Sequence, residues 1–517
     1  MDEKISITKF FAGKNIFITG GSGFIGKVLI EKLLRSCPDL GNIYVLIRSK
    51  KGKNSQERLV EQIVNSKLFK TLKKENEKAL GKLIAVEGDV MDLDLGLSKI
   101  DRQTLIDNVN IIYHSAASVR FDDFMKDSIL VNTRSTREIT YLAKELKNLD
   151  VFMHVSTTYS QCDKLVIEEE MYPPPGDWKE AIELAENYDS ELLNILTEKY
   201  KGALPNTYTF TKSLAEHVVY DLCNNQIPAI ILRPSIVIPT YSDPVAGWMD
   251  NFYGPVGMCV ATGKGILRSV YTPPSTKTEY IPVDLVVKIM ISSTWEKGVE
   301  KDLSRKLKTE VYNASNNTVA PLTYKELMEC GAKMYKECPL NNVIWYPHNE
   351  PTACWYNHFY KLLFYQLLPA LLIDGMLRIA GKKPIVFKLH RRIYIANMAL
   401  QYFLNYTWVF KNKKTLNLER KILPEDMVAF SSYRELDQVD IFDFFWKVKL
   451  GARKYLLNEG KETFEAAKRH TMRMWYLYIV WNTIWYLTIF YLVFIRFNII
   501  GYAQIKIIDC IDYFNKL

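Results

Sequence analysis

The sequence has few of the residues that hold metal ions or cross-link small domains. Its 517 residues include eight cysteines and seven histidines. The cysteines are widely spaced, with no C-x-x-C pair and no neighbouring histidine pattern, and are Cys37, Cys162, Cys223, Cys259, Cys330, Cys338, Cys354 and Cys510. Such usage is typical of free thiols in a reducing compartment and does not match a zinc site. We therefore expect no metal ion.

The N-terminus lacks the apolar run of a secretory signal. Residues 1–11 interleave charged and apolar side chains, so we expect no cleaved signal and an N-terminal domain that stays in the cytosol. Asn313, Asn316 and Asn405 each begin an N-x-[ST] sequon. Because such sequons mark the surface loops of secreted proteins, we do not expect glycans on a cytosolic domain.

The chain also lacks the basic motifs of nucleic-acid-binding proteins, although it is positively charged. It contains 67 lysines and arginines against 58 acidic residues, which gives a formal net charge of +9. No zinc-finger spacing or basic helix with heptads accompanies this charge. A phosphorylated cofactor and an anionic membrane surface are therefore favoured over nucleic acid as partners. A solvated lysine-rich surface accounts for part of the excess as well.

Apolar runs alternate with helical patterns through the first half of the chain. Strands are predicted at 15–19, 43–47, 83–86, 109–113, 151–155 and 229–232, and helices at 27–34 and 56–80. This βαβ alternation predicts an α/β fold with a doubly wound parallel sheet of the Rossmann type. At this length two domains with accessory segments are expected.

The regular alternation ends near Trp248. Glycine and proline-containing segments follow, including Gly254-Pro255 and Pro273-Pro274, and are typical of long functional loops, where we expect substrate contacts. Residues 351–455 are rich in aromatic and amphipathic helical patterns. The predicted organisation is a cofactor-binding domain over 1–345, a smaller helical domain over 351–455 and a membrane helix over 474–495.

The membrane helix is predicted from an uncharged apolar stretch at 474–495, which is long enough to cross a hydrocarbon core of about 30 Å. The stretch is preceded by three basic residues, Lys468, Arg469 and Arg473. By the positive-inside rule, this charge weakly places the N-terminal side of the helix in the cytosol. The three tryptophans within it leave two alternatives open: a helix lying flat on the membrane, or one buried in the second domain.

A glycine-rich turn joins the first predicted strand to the first helix. Gly20, Gly23 and Gly26 recur every three residues there, and Gly21, Ser22, Phe24 and Ile25 fill the turn. Glycine permits the tight turn, the close approach of a pyrophosphate and the packing of the helix, whose N-terminal amides face the phosphates. The pattern predicts dinucleotide binding.

The end of the second strand indicates which dinucleotide binds. An NAD-binding unit has an acidic residue there to contact the ribose hydroxyls, whereas this chain has Arg48, followed by Lys50 and Lys51. A guanidinium would pair with a 2′-phosphate, so NADPH is predicted, with a basic surface loop as the alternative. Two further pairs are placed to contact the cofactor: Asp89 and Val90, at the adenine, and Ala116 and Ala117, after Ser115.

Tyr208 and Lys212 are four residues apart, which places both on one face of a helix. A phenol that donates a proton near neutral pH benefits from such a cation. Ser156 and Thr157 follow the fifth predicted strand, where their hydroxyls could bind a substrate oxygen, and Asn132 could order the Lys212 side chain through water. The pair alone is a weak signal, and these companions favour a reductase site.

Taken in order, these residues resemble the extended short-chain dehydrogenase/reductases and, more narrowly, the fatty acyl-CoA reductases, whose insect members usually have a hydrophobic tail. The resemblance rests on Gly21-Ser22-Gly23-Phe24-Ile25-Gly26, Val45-Leu46-Ile47-Arg48, His114-Ser115-Ala116-Ala117, His154-Val155-Ser156-Thr157, Arg233-Pro234-Ser235, Gly247-Trp248, Tyr280-Ile281-Pro282-Val283-Asp284 and, after residue 351, Gly381-Lys382-Lys383-Pro384. It covers most of the chain.

The resemblance implies the reduction of a long-chain acyl-CoA to a fatty alcohol with two NADPH and release of CoA. Tyr208 would protonate the oxyanion that Thr157, with Ser156, hydrogen-bonds. The apolar stretch and its basic flank predict a single-pass membrane protein with a cytosolic catalytic domain. The endoplasmic reticulum is favoured over the peroxisome, and both organelles stay open. A membrane-bound hydroxysteroid dehydrogenase-like enzyme and a non-catalytic cofactor-binding scaffold stay open as alternatives, and the sequence does not fix the oligomeric state.

Overall fold

Short apolar runs form the strands of a seven-stranded parallel sheet. The computed structural model describes residues 5–50, 52–316, 321–434, 440–496, 501, 504–508 and 511. The sheet consists of β1 (Ile16–Thr19), β2 (Ile43–Ile47), β3 (Leu83–Glu87), β4 (Ile111–His114), β5 (Val151–Val155), β7 (Ala229–Pro234) and β12 (Glu310–Ala314). Its order is β3-β2-β1-β4-β5-β7-β12, and all neighbours are parallel. The predicted doubly wound α/β fold is confirmed.

The remaining elements are helices and short strand pairs. The helices are α1 (Ile7–Phe11), α2 (Phe24–Ser36), α3 (Ser55–Leu59), α4 (Lys70–Asn76), α5 (Lys99–Asn108), α6 (Met125–Ser128), α7 (Ser135–Glu145), α8 (Trp178–Asn187), α9 (Ser190–Lys201), α10 (Thr207–Cys223), α11 (Pro255–Gly263), α12 (Val283–Val299), α13 (Leu303–Leu307), α14 (Tyr324–Glu337), α15 (Trp355–Lys361), α16 (Leu368–Ile379), α17 (Val386–Asn405), α18 (Lys413–Glu419), α19 (Met427–Phe430), α20 (Ile441–Gly451) and α21 (Phe464–Phe490). The short strands are β6 (Val166–Ile167), β8 (Ile236–Ile238), β9 (Ser269–Tyr271), β10 (Lys277–Thr278), β11 (Tyr280–Pro282), β13 (Leu322–Thr323), β14 (Glu350–Thr352) and β15 (Val409–Phe410).

The two faces of the sheet bury separate hydrophobic cores. Along β1, Ile16 and Ile18 pack into one core with α2 and α12, while Phe17 packs into the other with α5, α7 and α10. Successive side chains of a strand point to opposite faces, and here both faces are covered. This burial explains why the strands read as continuous apolar runs rather than alternating ones.

The strand order reverses at β1, which pairs with β2 on one side and β4 on the other. In open α/β sheets a crevice forms outside the carboxyl ends of the strands at such a switch point. Thr19 and His114 lie side by side there. The fold therefore directs the glycine turn after Thr19 and the small residues after His114 into one cleft.

Two parts of the main sheet region differ from the sequence prediction. The predicted helix over 56–80 is wrong as a single element: α3 runs into a π-helical segment ending at Val64, and Ser66 begins a new turn by accepting a hydrogen bond from Leu68. The strand β12 was not predicted because it contains a polar residue, Asn313. That buried amide donates to the carbonyl groups of Ile167 and Lys411, so the sequon at Asn313 lies inside the fold.

The C-terminal region packs directly onto the sheet region. Strand β15 pairs with β6, and Leu418, Phe430 and Tyr433 belong to the same core as α2 and α12. The backbone amide of Ile7 donates to Asp426 over 2.6 Å. The two regions thus share buried surface, and the division at 345 and 351 stays a prediction from the sequence.

Two helical segments are long and apolar enough to cross a membrane. One spans Lys461–Arg496 and has none of its apolar window buried; the other spans Trp355–Ile379 and is 28% buried. The segment predicted at 474–495 lies in the first. Because it is exposed, it is not a buried helix of the second domain. Trp485 contacts Phe364 with ring centroids 4.9 Å apart, so the two segments touch.

The cysteines that the structure describes form no disulfide bonds with one another. Seven cysteines are free thiols, and Cys510 lies outside the described residues. Lys51 and the threonine of the Asn316 sequon also lie outside them. Within the described residues, no group of three or more His, Cys, Asp or Glu side chains could hold a metal ion.

Candidate active site

The glycine turn after β1 has no room for side chains. Gly20 has a φ of +74°, and a Cβ atom there would lie 2.6 Å from the backbone nitrogen of Ala116. A Cβ on Gly26 would lie 2.3 Å from the carbonyl oxygen of Gly20. Gly23 is the N-cap of α2 and provides no side-chain cap. The first amides of α2 are therefore left available to an anion.

The other turn residues hold this geometry in place. A Cβ on Gly21 would lie 2.5 Å from the Val45 side chain, so β2 packs closely beneath the turn. Phe24 stacks on Trp248 with centroids 5.4 Å apart, and Ile25 packs against the core of α2 and α12. Ser22 faces the cleft.

A cleft of about 630 Å³ opens at the carboxyl ends of β1 to β4. Its walls contain eight of the residues predicted to contact a dinucleotide, together with Arg58 and Ser118; the eight are Gly20, Ser22, Gly23, Arg48, Asp89, Val90, Ala116 and Ala117. Arg58, on α3, was missed from the sequence because only its position beside the second strand brings it to the cleft. The fold thus brings predicted residues from four separate strand ends to one cleft, whereas Tyr208 and Lys212, also predicted to contact the cofactor, do not line it.

Two arginine side chains, Arg48 and Arg58, line the cleft beside the end of β2. Arg48 is half exposed and lies 3.3 Å from Asp89, while Arg58 donates to the carbonyl oxygen of Arg48. The Asp89 carboxylate also accepts from the amide of Met91 over 3.0 Å. Two guanidinium groups therefore line the cleft. Among the described residues, Asp89 is the single carboxylate that forms an ion pair with them.

These residues fit a nicotinamide dinucleotide. The glycine turn and the helix N-terminus, which has no side-chain cap, provide amide donors for a pyrophosphate. The small side chains of Ala116 and Ala117 leave space beside these donors. Positive charge at the rim suits a further phosphate. The cleft could therefore hold a nicotinamide dinucleotide.

Tyr208 and Lys212 lie on the first turns of α10. The helix begins where the Asn206 side chain accepts from the amide of Thr209. The Lys212 ammonium is buried and donates to the carbonyl oxygen of Val155 over 2.7 Å. Burial raises the pKa of Tyr208 to about 12, against a hydrogen bond with Thr157 that lowers it. Near neutral pH Tyr208 is therefore a phenol that can donate a proton.

Burial also lowers the pKa of Lys212 to about 8, and the charge of Glu216, one turn further along α10, opposes this shift. Glu216 itself pairs with Arg233 of β7 through two hydrogen bonds of 2.9 and 2.7 Å. Both side chains of this pair are fully buried. A buried pair with such bidentate geometry fixes α10 against the sheet. The sequence patterns did not indicate Glu216.

The two hydroxyl residues after β5 have different partners. Thr157 hydrogen-bonds Tyr208 and also lies 3.4 Å from the carbonyl oxygen of Pro234. Ser156 donates to Glu216 over 2.5 Å. Thr157 is therefore beside the reactive phenol, whereas the Ser156 hydroxyl is directed toward the buried ion pair.

Asn132 lies on a π-helical turn, Ile129–Arg134, between α6 and α7. Its amide donates to the carbonyl oxygen of Ser118 and to the hydroxyl of Thr211, and it accepts from the amide of Ser118. Asn132 thus joins a wall of the cofactor cleft to α10, beside Lys212. No direct hydrogen bond between Asn132 and Lys212 is present.

Two buried histidines lie behind this site. The rings of His114 and His154 are 5.3 Å apart, and His114 is held between Thr19 and Thr136 over 2.7 and 3.2 Å. Burial and the Lys212 charge lower the pKa of both rings. They are therefore neutral near pH 7 and add no positive charge beside Lys212.

An apolar cavity of about 130 Å³ has Tyr208 in its wall. Its wall combines the loops after β8 with helix α17 and includes Phe121, Tyr159, Ile236, Met258, Leu400, Phe403, Leu404 and Trp408. Phe121 links the two regions, with its ring 5.7 Å from Tyr208 and 5.3 Å from Phe403. The region over 351–455 therefore forms part of the wall beside the phenol.

Known sequences are similar over nearly the whole chain. Residues 18–290 match an NAD-binding family described as "Male sterility protein", and residues 365–459 match a second family with the same description. "Fatty acyl-CoA reductase 1" of Xenopus laevis is 38% identical over 480 residues, 93% of this chain and 92% of the relative. "Fatty acyl-CoA reductase wat" of Drosophila melanogaster is 38% identical over 466 residues, 89% and 88% of the two chains.

Solved structures show the same fold at lower identity. The terminal R domain from a myxalamid PKS-NRPS biosynthetic pathway superposes with a TM-score of 0.56 at 18% identity, covering 88% of this chain and 95% of that domain. The reductase domain of a non-ribosomal peptide synthetase from Mycobacterium tuberculosis gives 0.55 at 17%, covering 88% and 94%. These similarities extend beyond the sheet region into the C-terminal helices.

Proposed function

This chain belongs to the fatty acyl-CoA reductase family, and we propose that it reduces long-chain acyl-CoA to a fatty alcohol, with two NADPH and a fatty aldehyde as intermediate. The observation that carries the proposal is the position of Tyr208. Its phenol lines the apolar cavity and hydrogen-bonds Thr157, and its ring lies 5.7 Å from that of Phe121, which lies in the sequence between the cleft residues Ser118 and Asp123. A thioester whose alkyl chain lies in that cavity would have its carbonyl group at the phenol.

The reaction requires a hydride and a proton at each of two steps. The bound nicotinamide supplies the hydride. Tyr208 gives its proton to the carbonyl oxygen as negative charge develops there, while Thr157 donates a second hydrogen bond to the same oxygen. Lys212 stabilises the resulting phenolate, and Ser156 positions Glu216 rather than binding substrate. Loss of CoA thiol from the first product leaves an aldehyde. Once Tyr208 has regained a proton from solvent, a second hydride and the Tyr208 proton would convert the aldehyde to the alcohol.

Arg48 and Arg58 support NADPH as the reductant. Both guanidinium groups lie at the rim of the cleft, where a 2′-phosphate would replace part of the Arg48 contact with Asp89. Charge-assisted hydrogen bonds of this kind contribute about 1.5–3 kcal/mol, which is sufficient to separate NADPH from NADH by roughly tenfold to a hundredfold. Lys50 adds charge nearby, and the phosphates of CoA suit the basic surface.

The C-terminal segments support attachment to a membrane. Between α16 and α17 the chain turns through Gly381-Lys382-Lys383-Pro384, with Asp374 accepting from the amides of Ile385, Val386 and Phe387. The surrounding exposed side chains are apolar: Leu371, Leu372, Met376, Ile379, Ile385 and Phe387. Apolar surface flanked by lysines fits the interface of an anionic bilayer.

A single membrane span follows from the differences between the two apolar segments. The segment Trp355–Ile379 is partly buried and contains Asp374 and Arg378, so we place it in the interface. Helix α21, with its exposed apolar surface, crosses the bilayer and keeps the catalytic region in the cytosol. We favour the endoplasmic reticulum as its location. This arrangement would deliver acyl chains from lipid toward Tyr208.

The test is product analysis with the detergent-solubilised full chain, NADPH and palmitoyl-CoA. We expect hexadecanol and free CoA by mass spectrometry. Tyr208→Phe should lower the rate at least a hundredfold, because positioned general acids contribute about 10²–10⁴-fold. Tyr220→Phe is the matched control, since Tyr220 lies on the same helix but is exposed.

Two results would support other functions. Turnover of hydroxysteroids without turnover of acyl-CoA would favour a hydroxysteroid dehydrogenase-like enzyme. NADPH binding without turnover of either substrate class would favour a cofactor-binding scaffold. Unchanged activity in Tyr208→Phe would remove Tyr208 as the proton donor.

A further inference from the structure

A second, larger cavity lies beyond the one at Tyr208. Its volume is about 480 Å³, and it shares Pro255 and Tyr280 with the smaller cavity. Its wall is formed by α11, α14 and α20, with apolar side chains that include Ile238, Val256, Leu327, Met334, Leu340 and Phe445. Such a space fits an alkyl chain.

One buried cation lies in this apolar wall. Lys449, on α20, is 8% exposed, and its ammonium has no hydrogen-bond partner among the described residues. The ammonium lies 4.1 Å from the ring centroid of Tyr335, which also lines the cavity. This ring contact compensates only part of the lost hydration. Burial lowers the pKa of Lys449 to about 7, with Cys338, Cys259 and Glu337 opposing the shift and Arg453 adding to it.

The other charged groups around the cavity are exposed and already paired. Lys325 lies 4.0 Å from Glu329, and Glu350 pairs with both His348 and Lys361 over 3.3 and 2.9 Å. These ion pairs lie where the cavity wall is exposed to solvent. Lys449 differs because it is buried and has no carboxylate within ion-pair distance among the described residues.

We propose that this cavity binds a long-chain free fatty acid, with its carboxylate on Lys449 and its alkyl chain against the apolar wall. A carboxylate would give the ammonium the charged partner that the described residues lack. The thioester group of acyl-CoA is uncharged and the far end of its acyl chain is a methyl group, so an acyl chain that enters this cavity would leave the ammonium uncompensated. The lysine stem is flexible enough to turn its ammonium from Tyr335 toward a bound carboxylate.

The proposal is tested by photocross-linking on the full-length solubilised chain, without NADPH or acyl-CoA. The probe is palmitic acid with a mid-chain diazirine, and the labelled peptides are identified by mass spectrometry. We expect label on α14 and α20, displaced by palmitate more strongly than by hexadecanol. Because neither cofactor nor turnover is involved, the outcome is independent of the proposed reductase activity.

In Lys449→Met, the palmitate concentration that displaces the photoprobe should rise at least tenfold. The hexadecanol concentration that displaces the probe should stay unchanged. Retained hexadecanol competition shows that the variant is folded, as expected when an unpaired buried ammonium is replaced by an apolar side chain of similar length. Lys447→Met is the matched control, since Lys447 lies on the same helix but is exposed and paired with Asp443.

The proposal is overturned if Lys449→Met binds palmitate like the unchanged chain, or if palmitate and hexadecanol compete equally. Label confined to peptides around Tyr208 would also contradict it, because the acid would then occupy the cavity at the catalytic phenol.

Discussion

Three ionisable side chains are spaced four residues apart along α10, and each has a different environment. Tyr208 lines an apolar cavity, Lys212 is buried against a backbone carbonyl group, and Glu216 is paired with Arg233. The first two could be predicted from the sequence, because an i, i+4 phenol and ammonium share a helix face. Glu216 could not, because its significance depends on where β7 places Arg233.

The low pKa of Lys212 makes the activity depend on pH. Folding lowers this pKa from its ordinary value to about 8, so the ammonium is present below that pH and is lost above it. Tyr208, with a pKa of about 12, stays protonated throughout. We expect kcat/KM to be flat below about pH 7 and to fall tenfold per pH unit above about pH 8.

Initial rates between pH 6 and 10, with cofactor binding and thermal unfolding followed at each pH, would check this dependence. An activity that stays level up to pH 10 while the protein remains folded would show that the Lys212 charge is not required.

Selectivity for the cofactor phosphate is expected to depend on Arg48. Arg48→Ala removes a guanidinium from the rim of the cleft, so the KM for NADPH should rise about tenfold to a hundredfold. The KM for NADH should change less than threefold, because NADH has no 2′-phosphate. Steady-state kinetics with both cofactors provide the measurement and its internal control. Equal increases for NADPH and NADH would contradict the role of Arg48.

At the level of elements, the inner strands were predictable and the polar or interrupted elements were not. The apolar runs at 43–47 and 151–155 coincide with β2 and β5, since strands buried on both faces are nearly continuous apolar runs. β12 was missed because its buried Asn313 is satisfied by backbone groups distant in sequence. The helix over 56–80 was predicted too long because the pattern does not show the new turn at Ser66.

The packing of α2 against the glycine turn predicts a strong effect at Gly26. In Gly26→Ala the new Cβ would meet the Gly20 carbonyl group at 2.3 Å, so the turn must shift away from its phosphate-binding conformation. We expect at least a tenfold loss of NADPH affinity. Gly81→Ala is the control, because a Cβ there has no neighbour within 4 Å. Fluorescence titration with NADPH is the measurement, and tight binding by Gly26→Ala would contradict the geometry.

At the level of the whole molecule, the C-terminal region provides part of the cavity wall at Tyr208 and most of an exposed apolar surface. Helix α17 lines the cavity at Tyr208, while α16 and α21 expose apolar side chains. The sequence predicted one membrane helix from its uncharged length. It did not predict the second apolar surface, because that surface is formed by the turn between α16 and α17 and is interrupted by charged residues.

This second surface predicts that removal of α21 leaves membrane binding intact. A chain ending at Thr463 should still float with liposomes that contain phosphatidylserine. Adding Lys382→Gln and Lys383→Gln should weaken that binding roughly thirtyfold, since each lysine contributes about 1 kcal/mol near an anionic surface. The control is Lys74→Gln with Lys78→Gln, two exposed lysines of the sheet region. A truncated chain that stays free of liposomes would show that α21 is the sole attachment.

The number of NADPH oxidised per CoA released tests the central claim most directly. With palmitoyl-CoA in excess, reduction to the alcohol at Tyr208 predicts two NADPH per CoA, hexadecanol as the product, and a parallel loss of NADPH oxidation and CoA release in Tyr208→Phe. One NADPH per CoA with free hexadecanal, or CoA release that persists in Tyr208→Phe, would contradict a two-step reduction at this site.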